Sequence, residues 1–314
     1  MSSPASSPTT AQAVPGSKPR ITVLMSVLLE TWDEGRSPTY FPRTTPLKAG
    51  ARDEAGIQWA GYGPREGIWR LMRTVESHGL KATAFCNGLA AERCPGAVER
   101  LAAGGHEIAA HGWAQNEYLY EQGLEGQAAT IGRTIEALAR VSGRRPTGWL
   151  TPVYGGDAHT TGLLAAAGLD WHCDVLDASS PRVETFTTAN AQDLTPQGQD
   201  LTPRTVTPRT MVGIPWSEFV DNRVLRSSPR DYFDVYKGTF DFLYRSEPGA
   251  MLHIGIHAHF GGRPLVSAML DDVLSHIRSH DDVWLPTCSE LAARVASDVP
   301  GAFDYRQRFF GEAP

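Results

Sequence analysis

The feature that most constrains this fold is an alternation of short apolar runs and amphipathic segments along most of the chain. The clearest apolar run, Ile21 to Leu29, is rich in β-branched residues, as expected of a strand covered on both faces. The clearest amphipathic segment, Gly123 to Val141, carries apolar side chains at helical spacing and stops at Gly143. About seven β/α units follow one another. The sequence predicts an α/β fold, a distorted (β/α)7 barrel, with a doubly wound open sheet as the alternative.

Two long segments interrupt this alternation. Residues 36–63 are rich in Gly, Pro and Arg without a period, and residues 182–210 are polar and rich in Pro and Thr. Loops of this length usually shape binding sites. We therefore expect one catalytic barrel domain over residues 20–314 with long loop insertions. Residues 1–19 lack the apolar core of a secretory signal, and their composition predicts a disordered tail.

Composition narrows the class of protein. Of the 314 residues, 41% are hydrophobic and 20% are charged, which is typical of a soluble globular protein. The formal net charge of −6 argues against a nucleic-acid partner, and no apolar run reaches the length of a membrane span. The four cysteines form no C-x-x-C pair, which favours buried thiols in a reducing cytoplasm.

Polar residues stand at the carboxyl end of almost every predicted strand. In a barrel, the carboxyl ends of all strands meet at one rim, where active sites lie. These residues are Glu30, Asn87, His111 with Gln115, Thr151, Asp177, and His257 with His259. The pattern predicts one active-site mouth.

Three longer motifs narrow the identification: Tyr62 to Arg70 (YGPREGIWR), Gly105 to Trp113 (GHEIAAHGW) and His257 to Pro264 (HAHFGGRP). With the order of the strand exits, the chain resembles the polysaccharide deacetylase (NodB-like, carbohydrate esterase family 4) superfamily over roughly residues 20–298. Within it, the motifs look like those of the cofactor-independent allantoinase and cyclic imide hydrolase branch.

The chain departs from the superfamily pattern at three places. Family deacetylases carry two adjacent aspartates after the first strand, a base and a metal ligand, where this chain has Leu29-Glu30. Their second motif has two zinc-binding histidines four residues apart, which here are His111 and Gln115. Leu150 to Val153 replaces their arginine-containing motif. A carboxylate, one histidine and an amide make a poor zinc set, so we expect no metal cofactor. If zinc or another divalent metal is bound, Glu30, His111 and His257 are its expected ligands.

We expect a hydrolase that opens a C–N bond of a small cyclic imide or ureide, similar to succinimide, hydantoin or allantoin, by activated water. In this hypothesis Glu30 orients or deprotonates water, while His111 and His257 polarise the carbonyl and shuttle a proton to nitrogen. The expected substrate-binding residues are Arg65, Trp113, Gln115, Thr151, Asp177, His259 and Arg263.

Two other functions stay open at this point. One is a metal-dependent deacetylase or amidase acting on an N-acyl substrate, and the other is a binding protein that has lost catalysis. Cys173 is a further candidate nucleophile, although no neighbour in the sequence indicates a lowered thiol pKa. The branch that the chain resembles often assembles, which implies a homo-oligomer.

Overall fold

The computed structural model describes residues 19–188, 207–297 and 305–311. The predicted tail up to residue 18 and residues 189–206 of the second insertion lie outside the described residues. The described strands are β1 (Ile21–Leu29), β2 (Thr83–Cys86), β3 (Glu107–Ala110), β4 (Gly148–Trp149), β5 (Trp171–Val175), β6 (Arg182–Thr188), β7 (Thr207–Pro215), β8 (Ala250–His257) and β9 (Val283–Trp284). The described helices are α1 (Glu54–Tyr62), α2 (Ile68–Ser77), α3 (Gly88–Arg93), α4 (Pro95–Ala103), α5 (Leu124–Ser142), α6 (Thr160–Ala166), α7 (Arg230–Ser246), α8 (Pro264–Arg278), α9 (Cys288–Ser297) and α10 (Tyr305–Phe310).

The strands form one curled sheet in the order β6-β7-β5-β4-β3-β2-β1-β8, with β9 beside β1. All neighbouring pairs are parallel except β6 and β7, which form an antiparallel pair at the start of the second insertion. An isolated bridge between Val220 and Gly255 brings the chain after β7 beside β8 and draws the two ends of the sheet together. The predicted α/β barrel is confirmed, and the open doubly wound sheet is not what forms.

The alternation of side chains along strand β1 places Glu30 at the site. Val23 and Val27 belong to the apolar cluster between sheet and helices, whereas Leu24 and Leu28 belong to the cluster inside the barrel. Alternate side chains of a strand point to opposite faces. Glu30 continues the even-numbered series and lines the cavity at the barrel mouth.

The amino end of the barrel is closed by α9. Its Cys288, Leu291 and Ala292 pack into the interior cluster together with Cys173 of β5. At the opposite end, a cavity opens at the carboxyl ends of the strands. No helix among the described ranges has both the length and the apolar character needed to cross a bilayer.

The prediction of an irregular segment over residues 36–63 is wrong at its end, where α1 forms. The Asp53 side chain caps this helix by accepting a hydrogen bond from the Gly56 backbone N–H. Only Gly56 and Ala60 are buried in α1, so no large apolar side chain marks its inner face. Pro64 lies in a wide π-type turn over residues 63–67 that joins α1 to α2.

Candidate active site

The centre of the barrel mouth is the carboxylate of Glu30, which is 2% exposed. His111 Nε2 and His257 Nε2 each lie 3.5 Å from Glu30 Oε1. His259 Nδ1 lies 3.6 Å from the other oxygen, Oε2. Residues from the ends of β1, β3 and β8 thus surround one buried carboxylate with three imidazoles, as the strand-exit pattern predicts.

The His111 ring is held in one tautomer. Its Nδ1–H donates a hydrogen bond of 2.7 Å to the Leu150 carbonyl. When the ring is neutral, Nε2 therefore carries a lone pair, and this atom is buried without a hydrogen-bond partner. This nitrogen faces Glu30 and can accept a proton from a molecule bound in the cavity.

The His257 ring is held by Asp221, a fully buried residue that follows β7. His257 Nδ1–H donates to Asp221 Oδ1 at 2.5 Å, and the His257 backbone N–H donates to Oδ2 at 3.0 Å. A Cβ on Gly261 would lie 2.4 Å from Asp221 Oδ2, so only glycine leaves room for this carboxylate. Asp221 thereby aims His257 Nε2 at Glu30.

The third imidazole, His259, lies behind Glu30 and contacts the first insertion. Tyr40 Oη lies 2.8 Å from His259 Nε2 and 3.5 Å from Glu30 Oε2. If His259 Nδ1 carries the hydrogen toward the carboxylate, Nε2 accepts the bond from the tyrosine hydroxyl. Trp32 and Trp59 pack edge-on against the same ring, with centroids at 5.2 and 4.9 Å.

These contacts set opposite charges at the site. Burial raises the pKa of Glu30, but the neighbouring imidazoles, above all the charge of His257, outweigh it and lower that pKa to about 2. Burial lowers the pKa of His257, but the charges of Asp221 and Glu30 outweigh it and raise that pKa to about 9. Burial lowers the pKa of His259 to about 3. At neutral pH the site therefore holds a carboxylate, an imidazolium at His257 and a neutral His259.

A cavity of about 440 Å³ opens over this cluster. This volume suits a small molecule and a few waters. Of the predicted binding residues, Gln115 and Thr151 line it, and Gln115 Oε1 is buried without a partner. Thr151 is fixed because its N–H and hydroxyl both donate to Asp174, at 2.8 and 2.6 Å. The remaining lining includes Tyr40, Tyr154, Trp216 and Arg223.

Two of the predicted binding residues, Trp113 and Asp177, lie outside this lining. Trp113 packs against Gly88, with the Arg133 guanidinium 4.4 Å from the centre of its ring. Asp177 is 75% exposed and pairs with Arg182 at 2.8 Å, because β5 ends before this carboxylate can turn inward. Neither side chain is placed to contact a molecule in the cavity.

The two predicted arginines also lie away from the cavity. Arg65 is exposed on the π-type turn. Arg263 is half-buried on the Tyr62 ring, 4.2 Å from its centroid, and its Nε–H donates to the His259 carbonyl at 3.1 Å. Arg263 therefore supports the backbone that carries His259.

Two of the sequence motifs pack directly on each other. A Cβ on Gly67 would lie 1.8 Å from the Ala258 carbonyl oxygen, so the turn over residues 63–67 lies against the chain between His257 and His259. Arg70 donates to the Gly262 carbonyl at 2.7 Å and to the Tyr62 hydroxyl. These glycine-rich motifs position the histidines of β8 rather than contact the cavity themselves.

Sequence reasoning missed Asp221 and Tyr40. Asp221 lies well past Pro215, the last residue of β7, so the strand-exit rule that finds Glu30 directly after β1 does not reach it. Tyr40 lies in a stretch without periodicity, and no sequence signal places it at the mouth.

Cys173 lies inside the barrel and is fully buried. Burial raises the pKa of its thiol well above the usual value. It is not among the residues that line the cavity. The candidate role as a nucleophile is therefore unsupported.

The resemblance raises the question of a divalent metal on Glu30, His111 and His257. Ligand atoms of a tetrahedral zinc lie about 3.3–3.5 Å apart. The distances from Glu30 to His111 and to His257 match this spacing. Among the described residues, however, the group of three whose ligand atoms all lie within 4.8 Å of one another is a different one, Asp241, His276 and His280. The two imidazole nitrogens thus flank the Glu30 oxygen, and this arrangement does not fit a preformed three-ligand centre.

The sequence is similar to that of known polysaccharide deacetylases. A family model described as polysaccharide deacetylase matches residues 61–171. A peptidoglycan deacetylase of Helicobacter pylori is 23% identical over 242 residues, which are 72% of this chain and 82% of that protein. Over these ranges the chain is similar to polysaccharide deacetylases.

Two solved structures resemble the whole fold. A protein from Pseudomonas aeruginosa PAO1, described as a probable polysaccharide deacetylase, is 24% identical with a TM-score of 0.75, covering 91% of this chain and 94% of its own. The structure of Puue allantoinase is 25% identical with a TM-score of 0.75, covering 95% of this chain and 96% of its own.

Proposed function

We propose that the chain is a hydrolase that opens a C–N bond of a small cyclic imide or ureide by activated water, without a metal. The observation that carries this proposal is the set of fixed tautomers around Glu30. One histidine presents a free lone pair and the other an N–H, as hydrolysis by acid and base requires. The likeness to an allantoinase over 95% of this chain supports a cyclic ureide as the substrate class.

The first step is attack by water on a ring carbonyl. Water hydrogen-bonded to Glu30 Oε1 and His111 Nε2 gives its proton to the His111 lone pair as its oxygen bonds to the carbonyl carbon. A carboxylate whose pKa is about 2 is a weak base, so Glu30 stays ionised and orients the water. The His257 imidazolium donates its Nε2–H toward the oxyanion that develops.

The second step breaks the ring. As the oxyanion collapses to a carbonyl, the C–N bond breaks and the ring nitrogen takes up the proton that His111 received from water. The products are a carboxylic acid and an amide or urea nitrogen on one open chain. His111 returns to its neutral form with its lone pair facing the cavity. An imide carbonyl is more electrophilic than that of an ordinary amide, which makes this route feasible without a Lewis acid.

The test is ring opening of succinimide, hydantoin and allantoin by the wild type and by two variants, Glu30→Gln and His111→Gln. Each variant keeps the size of its side chain, and we expect kcat/KM to fall about 100-fold or more on the active substrate. The matched controls are Glu34→Gln, in the exposed loop after β1, and His159→Gln, at the surface before α6. Wild-type rates in both site variants would exclude the mechanism.

A metal-dependent deacetylase or amidase is the second candidate. It is favoured by the family model and by the likeness to a peptidoglycan deacetylase. It predicts release of acetate from an N-acetylated sugar and no ring opening of any cyclic substrate. Release of acetate that depends on added zinc would replace the proposed function with this one. Absence of both activities in folded protein would favour a binding protein.

A further inference from the structure

We propose that Asp241, His276 and His280 bind one divalent transition-metal ion on the outside of the barrel, far from the catalytic mouth. One ligand atom from each of these residues lies within 4.8 Å of the other two. The three side chains come from α7 and from the end of α8. This proposal concerns a different place from the proposed reaction and stands or falls separately.

The backbone brings the two histidines together. His276 lies in the last turn of α8, and His280 follows four residues later, with its N–H still bonded to the Ile277 carbonyl at 3.1 Å. Residues four apart on a helical turn share one face. Their ring centroids are 4.8 Å apart. This spacing presents two imidazole nitrogens to one ion.

Two of the three ligands are oriented by a second contact, as in natural metal sites. His280 Nδ1–H donates to the His276 carbonyl at 2.9 Å, which leaves Nε2 as the lone-pair atom. Asp241 Oδ2 accepts a bond from the Lys237 ammonium at 2.5 Å, which leaves Oδ1 for the ion. Asp241 Oδ1 and His276 Nε2 are 2.6 Å apart and share a hydrogen that the metal would replace.

The surroundings also restrain the rings. Phe240 packs edge-on against both imidazoles, with centroids at 5.7 Å from His276 and 4.9 Å from His280. The Tyr244 ring lies 5.0 Å from that of His280. All three ligand residues are partly buried, so each side chain has lost part of its rotamer freedom before an ion arrives.

The donor set indicates the class of ion. Two imidazole nitrogens and one carboxylate oxygen suit zinc, copper, nickel or cobalt, whereas magnesium and calcium prefer oxygen ligands. Because α7 and α8 both run back from the mouth, their ends lie near the amino ends of β8 and β9, opposite the cavity. Metal bound at this site would therefore lie away from the reacting groups.

The experiment is a calorimetric titration of chelator-treated, dialysed full-length protein with zinc chloride, followed by measurement of zinc per chain. We compare the wild type with His280→Ala and with the near-isosteric Asp241→Asn. The matched control is His78→Ala, which removes another surface histidine, paired at 2.8 Å with Asp271 of the same helix α8. Magnesium chloride is titrated as the ion that the donor set disfavours.

We expect the wild type and His78→Ala to bind zinc equally, and both site variants to lose one equivalent or at least ten-fold in affinity. At a free zinc concentration about 100 times the Kd, the thermal unfolding midpoint of the wild type is expected to rise by about 5 °C. The proposal is overturned if the wild type takes up no zinc, or if both site variants match it. Equal binding of magnesium would also overturn the assigned class of ion. If His280→Ala does not fold, the near-isosteric Asp241→Asn variant alone decides the test.

Discussion

Asp221→Asn is the perturbation that separates a charged His257 from a neutral one with the least change in shape. Asp221 offers one oxygen to the His257 ring and the other to the His257 backbone N–H. Asparagine has one acceptor oxygen and no charge, so it keeps at most one of these bonds. The ring then stays near its place but loses the charge that holds its proton.

The magnitude follows from the charges around the ring. The pKa of His257 is about 9, against a usual value of 6.5. Burial lowers this pKa, and the charge of Asp221 is the largest cause that raises it. Without that charge we expect this pKa to fall by roughly 2 units. At pH 8 the protonated fraction of His257 then drops from about nine-tenths to about one-tenth, which alone lowers the rate about ten-fold.

The assay is the dependence of kcat/KM on pH between 5 and 10, together with an NMR titration of the His257 ring. In the wild type the rate should fall as pH rises through about 9. In Asp221→Asn the same fall should occur near pH 7, and the NMR midpoint should move with it. An alkaline fall at an unchanged pH in the folded variant would refute the proposed role of the imidazolium.

The pH dependence of the unfolding free energy gives a second test of the charge on His257. Because the folded-state pKa of His257 lies above its unfolded value, the charged ring stabilises the fold fully below about pH 6.5, and this is lost as pH rises through about 9. The variant should therefore lose about 3 kcal/mol of unfolding free energy near pH 6, and the deficit should narrow toward pH 9. The control is Asp234→Asn, which removes an exposed carboxylate paired with Arg230. This variant should lose less than about 1 kcal/mol of unfolding free energy.

Two further predictions concern the residues that support the site. Tyr40→Phe removes the hydroxyl 2.8 Å from His259 Nε2, and we expect kcat to fall roughly ten-fold with little change in thermal midpoint; an unchanged kcat would show that this contact does not matter to the reaction. Gly67→Ala would place a Cβ 1.8 Å from the Ala258 carbonyl oxygen, and we expect a loss of more than about 2 kcal/mol in urea unfolding. Gly132→Ala, where a Cβ meets nothing within 4 Å in the middle of α5, should instead be neutral or stabilising, and equal losses in both would contradict the packing argument.

The sequence predicted the barrel because its strands and most of its helices have strong local patterns. Strand β1 is apolar on both faces, and α5 shows a clear helical period that ends at Gly143. The same logic found the central residues, because a polar side chain directly after a buried strand must lie at the rim. Glu30, His111 and His257 meet there for that reason.

The predictions that failed depended on side-chain direction or on contacts across the fold. Arg65 stands in a motif that packs on the β8 exit, yet its own side chain points outward. Asp177 comes after a strand, but two residues past its end, so the alternation no longer fixes its direction. Tyr40 reaches His259 across 219 positions of sequence, which no local pattern can anticipate.

The central claim is hydrolysis of a cyclic C–N bond by Glu30, His111 and His257 without a metal. The most direct test is the ring-opening rate of chelator-treated His280→Ala protein on its best substrate among succinimide, hydantoin and allantoin, with metal content measured in the same sample. The His280→Ala substitution removes one ligand of the proposed outer metal site, so metal bound there does not add to the measured content. Full wild-type activity is expected at far below one metal ion per chain. Activity that disappears with the metal and returns with zinc or manganese would contradict it.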